Sequence, residues 1–426
     1  MPPRCIGTAE GPLDADFAAP PSKSATHRAL VAAAVADGVS TIVGPLDADD
    51  TRRTRDALRA LGVRVDAGAG AWTVHGAAGS IRGGGTIDVG ESGTTARFLL
   101  AIAAVGSRPS TVDGTPRLRE RPMEDLIAAL RSLGAVIEPG SARALPVRAG
   151  GGRVAGGAIA VSGVRSSQFT SALLLAAPMF DRGLALTVAG PRVSPSYVRM
   201  TVEMLEAFGG RVSDDGAGSY RVPACRLRAA TVEVEGDYSS ASYAMAAAAI
   251  LGGRVRVRGL RRGSLQPDAR FSRDLASLGC AVAFEENAVS VVGDGRIPPF
   301  AWSLAGAPDL APAAAVLALF AEGPCSLSGL HHLHAKESDR PAALAENLER
   351  FGARAVVADG TLMIDPPARH GRRAVAVDSH GDHRIAMAFA VAGLAVPGVT
   401  IDRADVVEKS YPGFWTDLEA LVRTGS

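Results

Sequence analysis

Residues 334–348 read HAKESDRPAALAENL, and two bases and two acids crowd the five positions from Lys336 to Arg340 just before an alanine-rich apolar run. Charges distributed around a helix make a solvated face. Charges gathered where a helix begins point to a site that needs both signs together. An acid among cations keeps a low pKa and can act as a base, while a lysine beside other cations is pushed toward proton exchange near neutrality. A structural role is compatible with this: Ser338 reads as an N-cap, Asp339 as first turn, and Pro341 falls where no N–H is needed. Two further clusters have the same character. Asp309 stands in the otherwise apolar GAPDLAP, and Asp382, His383 and Arg384 are consecutive.

Polar chemistry gathers ahead of six apolar segments, in PSKSATHR (21–28), GESGTTAR (90–97), RSSQFTS (165–171), GDYSSAS (236–242), APDLAP (307–312) and GDHR (381–384). A helix N-terminus presents unpaired N–H groups and the positive end of its dipole, which stabilises an anion by about 0.3–1 kcal/mol. Any one Ser or Thr there is first of all a cap. Six such starts directed at a common point imply anionic occupants. Lys23, Arg28 and Arg97 flank two of them, and RLRERP adds Arg117, Arg119 and Arg121. Arginine grips phosphate or carboxylate bidentately and lysine acts as a point charge, so phosphate is the natural guest. There is no G-x-x-x-x-G-K-[ST], and GGGTIDVG has neither the spacing nor the preceding strand of a dinucleotide-binding turn. His331, His332 and His334 of HHLH have no carboxylate or Cys at ligand spacing, so no metal is expected. The expectation is a cofactor-free reaction between two anions.

These residues must be held by repeated elements. LRALG ends at Gly62, LRSLG at Gly134, LEAFG at Gly209, LASLG at Gly279, LERFG at Gly352 and a weaker LVRTG at Gly425, with steps of 70 to 75 residues. Each reads as the last turn of an amphipathic helix closed by a left-handed Gly. Between them run segments apolar on nearly every side, such as RALVAAAVA, RFLLAIAAV and ASYAMAAAAIL, which predict buried helices. Strands such as TIDVG and AVAVDS alternate with the helices, so the unit is α/β rather than a short-period solenoid. Six units in 426 residues divide into two domains of three.

Composition bounds the function. A formal net charge of +1 leaves nothing global to draw the chain to nucleic acid or an anionic membrane, so any anion site is built locally. Glycine is abundant (49 residues) and aromatics are 5%, which suits close-packed small-residue helices better than a base-stacking surface. Cys5, Cys225, Cys280 and Cys325 are widely spaced, which argues against a disulfide framework or zinc site and for a reducing compartment. The start lacks a signal-peptide pattern and no long apolar run occurs, so a cytoplasmic protein is expected.

Taken in order from about residue 18 to the C-terminus, these motifs resemble the 5-enolpyruvylshikimate 3-phosphate synthase family. The resemblance implies an α/β fold of two similar domains, each of three βαβαββ units around buried helices, a six-unit inside-out α/β barrel. It implies domains of 1–20 plus 236–426 and of 21–235, with a short N-terminal strand joining the C-terminal half. It implies transfer of the carboxyvinyl group of phosphoenolpyruvate to shikimate 3-phosphate by addition then elimination, in aromatic amino acid biosynthesis, with no cofactor and by a monomer. Carried over by position, Lys23, Ser24, Arg28, Ser166, Ser167, Ser194 and Tyr197 hold shikimate 3-phosphate, and Gln168 lies between the ligands. Phosphoenolpyruvate meets Lys23, Gly93, Thr94, Arg121, Arg340, Arg384 and Lys409. Asp309, Lys336, Glu337 and His383 surround the reacting atoms, with Lys23 also catalytic.

The chain departs from the family pattern at Pro21, Glu91, Arg165, Arg199, His334 and Asp405, mostly on the acceptor side. Lys409 in KSYPGF stands as the substitute for a cation missing at Asp405. A specialised enolpyruvyl transferase with another phosphorylated acceptor, such as a nucleoside monophosphate, is the alternative that Arg165 and Arg199 would favour. A catalytically silent anion-binding protein is the second. The related transferase acting on UDP-N-acetylglucosamine carries a Cys on the loop that here reads TPRLRERPMED, and no Cys lies between Cys5 and Cys225.

Overall fold

The computed structural model describes residues 3–139, 144–368 and 371–423. Six helices are buried almost all round: Lys23–Val35, Gly93–Ala104, Ser167–Ala176, Tyr238–Leu251, Ala311–Leu319 and His383–Ala395. Small side chains make this possible. Ala29, Ala32, Ala33 and Ala34 are wholly inaccessible, so enlarging one to Leu would overpack the interior at about 1–3 kcal/mol. Five of these helices begin on the polar residues themselves rather than after them, which puts Lys23, Ser24 and Arg28 within the first two turns, whereas Ala311–Leu319 follows a short turn, Pro308–Leu310, that carries Asp309. The surface helices Asp49–Ala60, Glu124–Ser132, Pro195–Ala207, Arg270–Ser277 and Arg340–Arg350 end before Gly62, Gly134, Gly209, Gly279 and Gly352, all at φ between 76° and 99°. That is the left-handed cap the sequence predicted. Phe414–Arg423 is the sixth, and Gly425 lies outside the described residues.

Five four-stranded sheets repeat one plan, a parallel pair followed by an antiparallel hairpin, and among the described residues the sixth has three strands, with Ala376–Val377 parallel and Arg4–Cys5 antiparallel to Thr400–Ile401. In the second, Thr86–Asp88 pairs in parallel with Ser110–Asp113, which pairs antiparallel with Val147–Ala149 and then Ile137–Pro139. In two sheets the first strand is exchanged. Leu13–Ala18, which precedes the helix Lys23–Val35, pairs with Gly253–Arg258; Thr231–Glu233, which precedes Tyr238–Leu251, pairs with Val39–Val43. Gly253 has φ +90°, and a Cβ there would stand 2.1 Å from the Leu13 carbonyl oxygen, so only glycine admits the neighbouring strand.

The exchange divides the chain into an inserted unit, Pro21–Val234, and a composite unit of the N-terminal segment to Pro20 with Glu235 onward. The second boundary falls one residue before the expected one for a local reason. Val234 N donates to Val43 O at 2.9 Å in the inserted unit, whereas Glu235 accepts from Ser264 Oγ at 2.9 Å in the composite unit. Among the described residues no helix is long and apolar enough to cross a membrane.

Candidate active site

In the inserted unit Ser22 caps the first buried helix and sets Lys23 in its opening turn. The Lys23 ammonium donates to Asp50 Oδ2 at 2.9 Å, and this nearly inaccessible carboxylate at the start of Asp49–Ala60 orients it. Arg28, one turn on, is buried and spends its donors on neutral oxygens: Nε on Thr201 Oγ1 (2.8 Å), Nη1 on Ser24 O (2.8 Å) and Nη2 on Tyr197 O (2.9 Å). Burial pushes its pKa down to about 10, so an anion close by would offset a desolvation cost already incurred. Ser194, held in the left-handed region at φ 49°, turns the chain into Pro195–Ala207 and so brings Tyr197 to Arg28. Lys23, Ser24, Arg28, Ser194 and Tyr197 therefore form one group.

A second group forms around Gly93. Ser166 caps Ser167–Ala176 by accepting from Gln168 N, and the Gln168 amide donates to Thr94 Oγ1 (3.0 Å) and accepts from Arg97 Nη1 (2.9 Å). Arg97 also donates to Gly93 O at 3.1 Å. A Cβ on Gly93 would lie 2.5 Å from Arg97 Nη1 and 2.8 Å from Arg121 Nη1, so two guanidinium groups converge where the glycine leaves its helix start open. The three arginines of RLRERP separate here. Arg117 pairs with Glu120 and Arg119 with Asp113 at the surface, while Arg121 turns inward and is buried. Arg97, read from sequence only as a flanking cation, holds this group together.

The composite unit gathers the acids. Arg340, wholly buried, donates through Nε to Asp382 Oδ2 (2.7 Å), through Nη1 to Asp309 Oδ1 (2.9 Å) and through Nη2 to Glu337 Oε2 (2.9 Å). Arg384 Nη2 takes the other Asp309 oxygen at 3.0 Å. Asp382 also caps His383–Ala395 by accepting from Arg384 N and receives the Ser338 hydroxyl at 3.1 Å. Burial works to raise the Asp382 carboxyl, and the Arg340 guanidinium reverses this and holds it below the ordinary range. Burial likewise opposes the charge of Arg340, yet Asp382, Glu337 and Asp309 hold its pKa above the usual value. The expected cap is corrected: Asp339 caps the helix by accepting from Ala342 N (3.2 Å), and Ser338 is drawn off to Asp382. A carboxylate is the stronger acceptor for that N–H, which frees the shorter hydroxyl.

His383 is buried with Nδ1 3.7 Å from Asp382 Oδ1. Lys336 and Glu337 are half-buried, and Lys409 is buried in the turn Ala404–Lys409 that packs on His383–Ala395, whereas Asp405 is exposed. The HHLH histidines go three ways. His331 is exposed with its ring against Gly360, His334 meets Asp339 at 2.8 Å, and His332 is pushed down to about 4 by burial and then by Lys336, so it is a neutral imidazole. Among the described residues the group with metal-ligand spacing is Glu346, Asp378 and His380, where Arg350 and Arg403 already hold the two acids. Asp268, not read from sequence, is pushed up to about 7 by burial and by the charge of Asp309. Arg165 is engaged by Glu124 and Asp125, and Arg199 is exposed.

The profile of a family described as EPSP synthase (3-phosphoshikimate 1-carboxyvinyltransferase) matches residues 8–418. A protein named 3-phosphoshikimate 1-carboxyvinyltransferase from Methanoculleus marisnigri is 44% identical over 412 residues, covering 96% of this chain and 97% of its own length. One of the same name from Syntrophobacter fumaroxidans is 42% identical over 415 residues, with 96% and 97% covered. The solved EPSP synthase of Acinetobacter baumannii superposes with a TM-score of 0.80 at 27% identity, covering 98% of this chain and 96% of that one.

Proposed function

Because the chain belongs to the EPSP synthase (3-phosphoshikimate 1-carboxyvinyltransferase) family, we propose that it transfers the carboxyvinyl group of phosphoenolpyruvate to the 5-hydroxyl of shikimate 3-phosphate, releasing phosphate. The observation that carries the residue assignment is the Arg340 web, in which one buried guanidinium bonds Asp309, Glu337 and Asp382 and a second, Arg384, shares Asp309. Lys23, Ser24, Arg28, Ser166, Ser167, Ser194 and Tyr197 take the shikimate 3-phosphate, where the neutral surroundings of Arg28 favour a dianion. The resemblance assigns phosphoenolpyruvate to Lys23, Gly93, Thr94, Arg121 and Gln168 of the inserted unit and to Arg340, Arg384 and Lys409 of the composite unit.

The acids and cations then divide the chemistry. A phosphoenolpyruvate anion competes with Glu337 and Asp309 for the two guanidinium groups, and a carboxylate that loses its cation gains proton affinity. Glu337 takes up a proton in this way and delivers it to the methylene carbon. The cationic centre is attacked by the acceptor hydroxyl, whose proton passes to Asp309. In the second half Asp309, having passed the hydroxyl proton to the departing phosphate, takes a proton from the new methyl group as the double bond reforms and the C–O bond to phosphate breaks, with the departing charge held by arginine and by Lys336; exchange with solvent then returns Glu337 to its acid form. Positioned acid and base groups contribute about 10²–10⁴ in rate and the fixed cations add charge stabilisation. Four free thiols, among them buried Cys325, support a cytoplasmic setting, and one chain supplies every residue in the scheme.

Purified protein given phosphoenolpyruvate and shikimate 3-phosphate should release inorganic phosphate and form the enolpyruvyl ether. The engagement of Arg165 by Glu124 and Asp125 removes the main reason for preferring a nucleotide acceptor. Turnover with nucleoside monophosphates alone would overturn the acceptor, and binding of both substrates without turnover would leave only an anion-binding protein.

A further inference from the structure

The scheme above leaves unused a chain of buried polar side chains in the inserted unit. His27 Nδ1 lies 2.7 Å from Thr54 Oγ1, Thr54 Oγ1 lies 2.6 Å from Thr95 Oγ1, and Thr95 Oγ1 donates to Ser92 Oγ at 2.7 Å. All four side chains are wholly inaccessible. They join three helices: His27 belongs to Lys23–Val35, Thr54 to Asp49–Ala60 and Thr95 to Gly93–Ala104, which Ser92 caps by accepting from Thr95 N at 3.3 Å. A hydroxyl has one hydrogen to give, and that of Thr95 is directed to Ser92 Oγ or, at 3.3 Å, to the Asp50 carbonyl. Thr54 therefore donates to Thr95 and accepts from His27 Nδ1–H, and the chain runs in one direction.

The spacing along each helix shows what the chain holds. His27 lies four residues after Lys23 and Thr54 four after Asp50, and residues four apart share one helix face. The Lys23–Asp50 ion pair and the His27–Thr54 bond are thus two rungs, one turn apart, between the same two helices. The Thr54–Thr95 bond then fastens the third helix, which opens on Gly93 and Thr94. We propose that Thr54 and Thr95 are positioning residues for this reaction, their linked hydroxyls fixing the Lys23 ammonium in place relative to the Gly93 helix start so that both meet one phosphoenolpyruvate. Hydroxyls do this without bringing a charge that would compete with the substrate for Lys23. Arg28, on the acceptor side, is held separately through Thr201, Ser24 and Tyr197, so the chain acts on one substrate. The inference rests on the reading of Lys23, Gly93 and Thr94 as phosphoenolpyruvate residues.

The test is steady-state kinetics on Thr54→Val, which keeps the branched shape and removes the hydroxyl. Its KM for phosphoenolpyruvate should rise about tenfold, the size of a small misplacement of a binding group, while KM for shikimate 3-phosphate stays within about twofold. Thr54→Ser keeps the hydroxyl and should stay within about twofold of wild type for both substrates. Thr95→Ala, on a helix already rich in alanine, should raise the same KM, and the double variant should raise it no further than the larger single effect, because both break one chain. Where Thr54→Val fails to fold, Thr95→Ala with Thr95→Ser as its rescue decides the matter. An unchanged KM for phosphoenolpyruvate, an equal rise for both substrates, a serine variant as impaired as the one lacking the hydroxyl, or single effects that multiply in the double variant would each overturn the inference while leaving the activity standing. A wild-type protein that releases no phosphate instead overturns the function, and the inference with it.

Discussion

Replacing Arg340 by Met tests the acid web most directly, because Met fills much of the same space while removing the charge and the hydrogen bonds it donates. Arg340 is 1% exposed, and it bonds Asp382 at 2.7 Å, Asp309 at 2.9 Å and Glu337 at 2.9 Å. Removing one partner of a buried pair leaves an uncompensated charge and costs about 3–5 kcal/mol. Asp382, wholly inaccessible, is the acid most affected. In the wild-type protein its folded pKa is depressed, so its stabilising contribution is present above the unfolded value and fades as pH falls through the folded one. In Arg340→Met burial dominates, the folded pKa lies above the unfolded one, and the direction reverses. The stability deficit measured by urea unfolding should therefore be about 3–5 kcal/mol at pH 8. At pH 5 it should be smaller by about 1–2 kcal/mol, as one pKa unit is worth about 1.4 kcal/mol. Equal deficits at both pH values, or a deficit under about 1 kcal/mol at pH 8, would refute the view that this guanidinium neutralises buried carboxylates.

Three further outcomes are expected. Gly93→Ala should raise KM for phosphoenolpyruvate more than it lowers kcat, because the new methyl must push aside Arg97 and Arg121, whose guanidinium atoms lie within 2.9 Å of its position; steady-state kinetics separates the two. Lys23→Ala and Glu337→Ala should each lower kcat by about 10²–10⁴, read as phosphate release, and full activity in Glu337→Ala would remove it from proton transfer. Arg165→Ala should leave KM for shikimate 3-phosphate within about twofold, since an exposed ion pair carries little energy and the guanidinium is already held by Glu124 and Asp125.

The repeat of Gly62, Gly134, Gly209, Gly279 and Gly352 was legible because a left-handed cap restricts residue type wherever it occurs. The buried helices were legible for a similar reason: a segment apolar on every side has nowhere to go but the interior. Helix starts were read a few residues late, since Lys23 and Ser24 look like flanking polar residues until Ser22 is seen to cap ahead of them. The Asp339 cap was missed because Ser338 and Asp339 both suit an N-cap, and only the competing demand of Asp382 for the Ser338 hydroxyl separates them.

The site divides in the same way. The order of motifs along the chain sufficed to name Asp309, Lys336, Glu337, Arg340, His383 and Arg384 as chemical residues, because helix starts dense in both signs of charge are rare without a use. Which of them bond, and through which atoms, was decided by folding: Arg340 and Asp382 are 42 positions apart and Arg384 and Asp309 are 75, and no local rule sets such pairings. Asp50 carried no signal at all in the sequence. An ordinary aspartate acquires its role from the dielectric and the charges around it, and those exist only once the chain has closed upon itself.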